Sequence, residues 1–138
     1  MNKELELWRL KEILQKYLTV LERKRTLKTM KDIMRNYLNN KITHNQAANR
    51  LFYEIDINYI FSLCGLSESE LKDFKNVGDS KKEDFIISDC YYAIKQLAEE
   101  PRFSTTDVEI QYFYECLNGE RIYDLNEKYR IIQEFYNG

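Results

Sequence analysis

The sequence predicts an all-α protein, a single domain built as a bundle of about six or seven helices, and three observations carry that prediction. Apolar residues recur at steps of three and four through most of the chain. Five stretches have the Ser/Thr/Asp-x-x-Glu/Gln spacing of a helix-opening capping box. One Pro and four Gly in 138 residues leave little material for the many turns of a sheet. A chain of this length suits one domain that buries about two-thirds of its unfolded surface.

Leu7, Leu10, Leu14, Tyr17 and Leu21 alternate steps of three and four, a heptad seam in a long first helix. Trp8, Ile13, Leu18 and Val20 widen the seam, which favours packing in a bundle over an isolated two-stranded coil. After the cluster Glu22-Arg23-Lys24-Arg25, residues Leu27, Met30, Ile33, Met34, Tyr37 and Leu38 predict a second amphipathic segment. Thr26 and Thr29 are the only hints of a break between the two.

Thr43-His44-Asn45-Gln46 is a capping box, with Ile42 and Ala47 placed for a hydrophobic staple. It opens a helix through Leu51, Phe52 and Ile55. From Ile55 to Leu63 apolar residues alternate as in a strand. With no second strand to pair it, an irregular or helical continuation is expected. Gly65 punctuates, Ser67-Glu68-Ser69-Glu70 caps a short helix to about Asn76, and Asn76 to Asp79 reads as a flexible loop.

The segment Asp84 to Ala98, DFIISDCYYAIKQLA, packs the most large apolar residues into helical spacing and is the expected centre of the fold. Ser80-Lys81-Lys82-Glu83 reads as its capping box, and Pro101 as its stop. Ile86, Ile87, Cys90, Ala93, Ile94, Leu97 and Ala98 form its apolar face, with Tyr91 at the edge. Phe85, Asp89, Tyr92, Gln96 and Glu99 form a stripe behind, which is either a second strip of core or a recognition face. Thr106-Asp107-Val108-Glu109 caps the next helix, whose core side is Ile110, Phe113, Cys116 and Leu117, and Asn118-Gly119 ends it. Asp124-Leu125-Asn126-Glu127 caps the last, whose Tyr129, Ile132, Phe135 and Tyr136 share a face.

No stretch approaches the ~18 apolar residues of a membrane span, and acids interleave with apolar residues in MNKELELWRLKEILQ, unlike a secretory signal. Cys64, Cys90 and Cys116 form no CxxC pair, so buried thiols in a reducing cytoplasm are expected. The single histidine, His44, stands at the start of a capped helix. No HExxH, phosphate-loop or dinucleotide fingerprint is present, and no Glu-x-x-His motif of a di-iron bundle. No catalytic residue, metal site or cofactor is therefore expected, and an enzyme is not.

The net charge of −2 conceals a division. The first fifty residues carry +7 and residues 51–138 carry −9, separating a basic helical part, 1–40, from an acidic helical remainder, 43–138. The basic segment 23–35, with Arg23, Lys24, Arg25, Lys28, Lys31 and Arg35, could neutralise phosphates. The reading preferred to it is a helix surface paired with the acidic remainder. The acidic part is rich in tyrosine, which supplies interface area at low entropy cost. Acids among tyrosines suit a partner with a basic surface, such as a nuclease cleft.

Ile33-Met34-Arg35-Asn36-Tyr37-Leu38-Asn39-Asn40-Lys41-Ile42-Thr43, followed by HNQAANRLF, resembles the opening of colicin D-type immunity proteins, with a helix, an x-K-I-T turn and a second amphipathic helix. ISDCYYAIKQL and TTDVEIQYFYECLNG are similar to segments of small bacterial self-immunity proteins, including those of contact-dependent inhibition systems. The resemblance covers about half the chain. It implies a cytoplasmic, helical, non-enzymatic bacterial protein that neutralises a cognate toxin domain by occluding it, often a tRNA-cleaving nuclease. This chain is longer, with an unusually basic first third, so binding residues do not transfer one by one. Helical geometry instead nominates Asp89, Tyr92, Gln96 and Glu99 with Asp107, Tyr114 and Glu115 of the following helix. Asp89 has no basic residue at i±3 or i±4, so its charge must be met by water, a distant residue or a partner. A membrane is not an expected partner. The alternative function is a small nucleic-acid-binding or regulatory protein that uses segment 23–35.

Overall fold

The computed structural model describes residues 3–63, 66–100 and 104–137. Cys64, Gly65 and the expected stop and turn at Pro101, Arg102 and Phe103 lie outside the described residues. Seven α-helices follow in order: α1 (Lys3–Leu38), α2 (His44–Glu54), α3 (Ile57–Ser62), α4 (Glu68–Lys72), α5 (Asp79–Lys95), α6 (Asp107–Leu117) and α7 (Leu125–Asn137). Short 3-10 turns follow α4 and α5, and no strand occurs among the described residues.

Helix α1 runs unbroken through Thr26 and Thr29, so the two expected segments are one 36-residue helix. Thr26 is buried inside it. Its end is a Schellman turn in which Asn40, at φ +62°, takes the left-handed position. The Lys41 amide reaches the Asn36 carbonyl at 2.9 Å and the Asn40 amide reaches that of Tyr37 at 3.0 Å. Gly119 does the same after α6 at φ +76°, with Glu120 N–H on the Glu115 carbonyl at 2.9 Å.

The capping signals divide instructively. Thr43 makes a full box with Gln46, its hydroxyl accepting from the Gln46 amide while its own amide donates to the Gln46 side chain at 2.8 Å. Ser67 and Glu70 do likewise at α4. Asp56 caps α3, resolving the alternating stretch as helix. Asp124 Oδ1 caps α7 by accepting from the amides of Asn126 and Glu127. At α6 only half the box forms: Thr106 accepts from the Glu109 amide, while the Glu109 side chain turns to Lys128. Ser80 caps nothing. Helix α5 begins earlier, behind an N-cap at Gly78, because the Lys82 amide already bonds the Gly78 carbonyl at 3.0 Å. Only Val77 and Gly78 remain between the 3-10 turn and α5, so the expected loop is two residues.

The core lies where the C-terminal half of α1, α2, α5 and α6 meet. Met30, Ile33, Met34, Leu51, Ile87, Cys90, Ile94, Ile110 and Phe113 are all essentially fully buried. Tyr91 and Tyr112 join them, and each fully buried large apolar side chain contributes about 1.5–3 kcal/mol. The Tyr112 hydroxyl donates to the Asp124 carbonyl at 2.9 Å and accepts from the Asp124 amide at 2.7 Å, which pins the start of α7 to α6. Thr105, also buried, donates to the Ala93 carbonyl at 2.6 Å near the end of α5. Cys90 is in the core, 3.6 Å from Met34 Sδ, and burial pushes its thiol well above the ordinary value. Cys116 is half-buried, less enclosed than expected.

Two apolar faces are turned outward among the described residues. The seam of α1 from Leu7 to Leu21 is exposed rather than packed. On α7, Tyr129, Phe135 and Tyr136 point outward, and Lys128 is the buried residue of that helix. It is buried because two carboxylates from other helices face it.

Candidate partner-binding surface

Lys128 Nζ lies 2.9 Å from Asp89 Oδ2 and 3.9 Å from Glu109 Oε1, and it rests over the Phe113 and Tyr129 rings. The Tyr123 hydroxyl donates to the same Asp89 oxygen. Burial and then the Asp89 charge raise the Tyr123 hydroxyl pKa, so it stays a donor. The Asp89 charge is thus met by a distant residue inside the fold. Phe85, one turn earlier on that stripe, packs among Phe74 and Tyr123. This half of the α5 stripe is core, and the Asp89 charge is taken up by Lys128 and Tyr123 rather than left for a partner.

The other half of the stripe is open. Tyr92 is 37% exposed with Lys95 over its ring at 5.8 Å, and Gln96 and Glu99 are exposed in and after the 3-10 turn. On α6, Asp107 is exposed, Glu115 is half-buried, and Tyr114 packs half-buried against the core. The seven nominated residues do not form one face. Helix α6 lies against α1 and α7 as well as α5.

Asp107 and Glu115, two turns apart on α6, line a groove of about 400 Å³ with Gln111 between them. Leu38 of α1, Val108 of α6 and Ile131 of α7 give it an apolar lining. Among the described residues Arg121 is the one basic side chain lining it, and it serves two carboxylates, Glu115 at 3.4 Å and Glu127 at 3.5 Å. Asp107 accepts from the Tyr37 hydroxyl, a neutral donor, and forms no ion pair among the described residues. The rim therefore keeps an acidic surplus. Because Tyr37 donates to Asp107, its oxygen accepts from His44 Nε2–H at 3.0 Å, tying the starts of α2 and α6 to the end of α1. Burial, then the Asp107 bond, holds the Tyr37 hydroxyl protonated.

Sequence reasoning missed Tyr123, Lys128, Arg121 and the Tyr37–His44 contact. Tyr123 and Lys128 reach Asp89 from 34 and 39 residues away, while Arg121 and the Tyr37–His44 contact link neighbouring helices across a turn, which helical periodicity does not report. No group of three or more His, Cys, Asp or Glu suited to a metal occurs among the described residues. No helix among them is long and apolar enough to cross a membrane.

On the basic side, Arg23 alone of the Arg23-Lys24-Arg25 cluster reaches the acidic remainder, at Asp84 (2.7 Å) and Glu83 (3.5 Å). Arg25 pairs within α1 with Glu22, and Arg35 with Asp32. A wider groove of about 710 Å³ between α1 and α2 is lined by Arg25, Lys28, Lys31, Arg35 and Arg50, together with Asp32 and Glu54.

No protein-family model matches the chain, and no curated protein or solved structure matches it either.

Proposed function

We propose that the protein is a non-enzymatic immunity protein that binds a basic, nuclease-type toxin domain in the bacterial cytoplasm and blocks it by occlusion. The observation that carries this reading is the α6 groove, an apolar trough whose rim holds Asp107 and Glu115 with a surplus of negative charge. Such a trough suits a lysine or arginine from a partner, its aliphatic stem along Leu38 and Val108 and its charge at the rim. The titratable groups around it are engaged in structural bonds, which supports recognition over catalysis. Tyr92, Gln96 and Glu99 are a second, separate contact area.

The test is protection of cells or RNA against the toxin encoded beside this chain. Asp107→Asn with Glu115→Gln is expected to weaken toxin binding at least tenfold, mostly through slower association at low salt. Undiminished protection by that double variant overturns the groove, and absence of protection by the native chain overturns the function.

One observation favours a second reading, the basic groove between α1 and α2. Asp32 bonds both Arg35 and Arg50, Glu54 pairs with Arg50, and Glu22 pairs with Arg25, so Lys28 and Lys31 are left as the phosphate-facing charges. Salt-sensitive binding of a short duplex, lost in Lys28→Gln with Lys31→Gln, would establish this alternative.

A further inference from the structure

The N-terminal half of α1 carries a contiguous apolar seam that none of the described residues covers. Leu7, Leu10, Leu14, Tyr17 and Leu21 are between 43% and 62% exposed. Ile13, Leu18 and Val20 flank them at 44% to 64%. Taking ~200 Å² per large side chain, these eight present roughly 850 Å². A stable interface needs about 800 Å² per partner, whereas monomers rarely leave so large a patch open.

The seam also points away from the rest of the molecule. At about 100° per residue, its direction falls roughly 180° from Arg23, Thr26, Met30, Ile33, Met34 and Tyr37, the side on which α1 meets the body. A second helix laid on the seam would lie on the side of α1 opposite the described body of the chain.

We infer that the occupant is the same segment of a second copy, lying antiparallel about a two-fold axis between Leu14 and Tyr17. In that register Leu14 faces Tyr17 of the second copy and Leu10 faces its Leu21, each contact occurring twice, as an isologous interface requires. The charges select the direction. Beyond Leu21 the outer side of α1 is basic, with Lys24, Arg25 and Lys28 exposed, while the first turn carries Glu4 and Glu6. An antiparallel pair sets Glu4 and Glu6 of one copy beside Lys24 and Arg25 of the other at both ends, two opposite-charge approaches against the one like-charge approach of Lys3 to Lys28. A parallel pair would instead stack Lys24 on Lys24 and Lys28 on Lys28. The overlap runs roughly 40 Å at 1.5 Å per residue and leaves the α6 groove of each copy open.

Sedimentation of the full chain tests this. The native protein is expected to be a dimer at micromolar concentration, and Leu14→Glu a monomer with the near-ultraviolet signal of its body unchanged. Glu4→Lys with Glu6→Lys should weaken the dimer at least tenfold, as should Lys24→Glu with Arg25→Glu. Combining all four changes should restore affinity to within about threefold, since the swapped charges meet again. A monomer at 100 micromolar (~100 µM), or a trimer or tetramer, overturns the proposal. Failure of the four-fold variant to regain affinity overturns the antiparallel register.

Discussion

Lys128 and Asp89, 39 residues apart in sequence, meet at 2.9 Å across α7 and α5. The lysine side chain is 8% exposed and the aspartate 23%. Removing one member of a buried pair costs far more than forming the pair contributes, because the other charge stays behind unpaired. Asp89→Ala leaves the ammonium with the more distant Glu109 as its described carboxylate, at 3.9 Å, and is expected to lower stability by about 3 kcal/mol, the low end of that range. Lys128→Met leaves Asp89 its Tyr123 hydroxyl and some water, so about 1–2 kcal/mol is expected. Urea unfolding of both variants checks the order. A cost for Asp89→Ala below about 1 kcal/mol, the scale of an exposed pair, would mean the site is open to solvent. Any loss of partner binding in Asp89→Ala should track its loss of stability.

Glu109, beside the same lysine, supplies a pH signature. Burial raises its carboxyl above the ordinary 4.5, with Lys128 opposing and Asp89 adding to the rise. The folded state therefore holds this proton more tightly than the unfolded chain. The resulting stabilisation is fully present below about pH 4.5 and is lost as pH rises through the folded value. Glu109→Gln keeps the neutral shape and should be more stable than the native protein at pH 7. The difference should vanish near pH 4. A variant that is less stable at pH 7 would show that the ion pair with Lys128 outweighs burial.

The basic cluster offers a contrast within three consecutive residues. Arg23 is largely enclosed and bonds Asp84 at 2.7 Å, while Lys24 and Arg25 are exposed. Arg23→Gln should cost about 1–3 kcal/mol through the lost charged hydrogen bond and the carboxylate left behind. Lys24→Gln with Arg25→Gln should cost less than about 1 kcal/mol. Equal costs, measured by thermal or urea unfolding, would argue against the α1–α5 contact as the place where the body begins.

What was legible in the sequence follows the range of the interaction. Helix identity, the core positions Ile87, Cys90, Ile94, Ile110 and Phe113, and the Thr43 box depend on neighbours within a turn or two. The charge balance suggested a basic segment paired with the acidic remainder, whereas Arg23 makes that pairing and Arg25 and Arg35 turn to Glu22 and Asp32 of their own helix. Asp89 illustrates the limit most clearly. Local spacing left its charge unpaired, and the partner came from a helix 39 residues later. The outward seam of α1 was read as bundle packing because periodicity reports an apolar face and not what covers it. The groove on α6 escaped for the same reason, being made jointly by Leu38, Ile131 and Arg121 from three separate stretches.

Thr43 and Ser80 carry the same signature in sequence and opposite roles in the fold. Thr43 stands at the N-cap of α2 and makes both bonds of its box. Ser80 is the second residue of α5, exposed, behind a helix that Gly78 already starts. The earlier start is favoured by the neighbouring segment: Lys81 pairs with Glu70 of α4 at 2.6 Å, and the Lys82 ammonium donates to the Lys75 carbonyl at 2.9 Å. Both contacts draw residues 79–82 into the first turn of α5. Thr43→Ala removes a cap that satisfies an otherwise orphaned amide, so a loss of about 1 kcal/mol is expected. In a domain of this size that lowers the melting temperature by roughly 4 °C. Ser80→Ala exchanges a weaker helix former for the strongest at an exposed position and should change stability by no more than about 0.5 kcal/mol, in the favourable direction. The pair of melting curves separates the two assignments. A drop for Ser80→Ala as large as that for Thr43→Ala would return the start of α5 to Ser80.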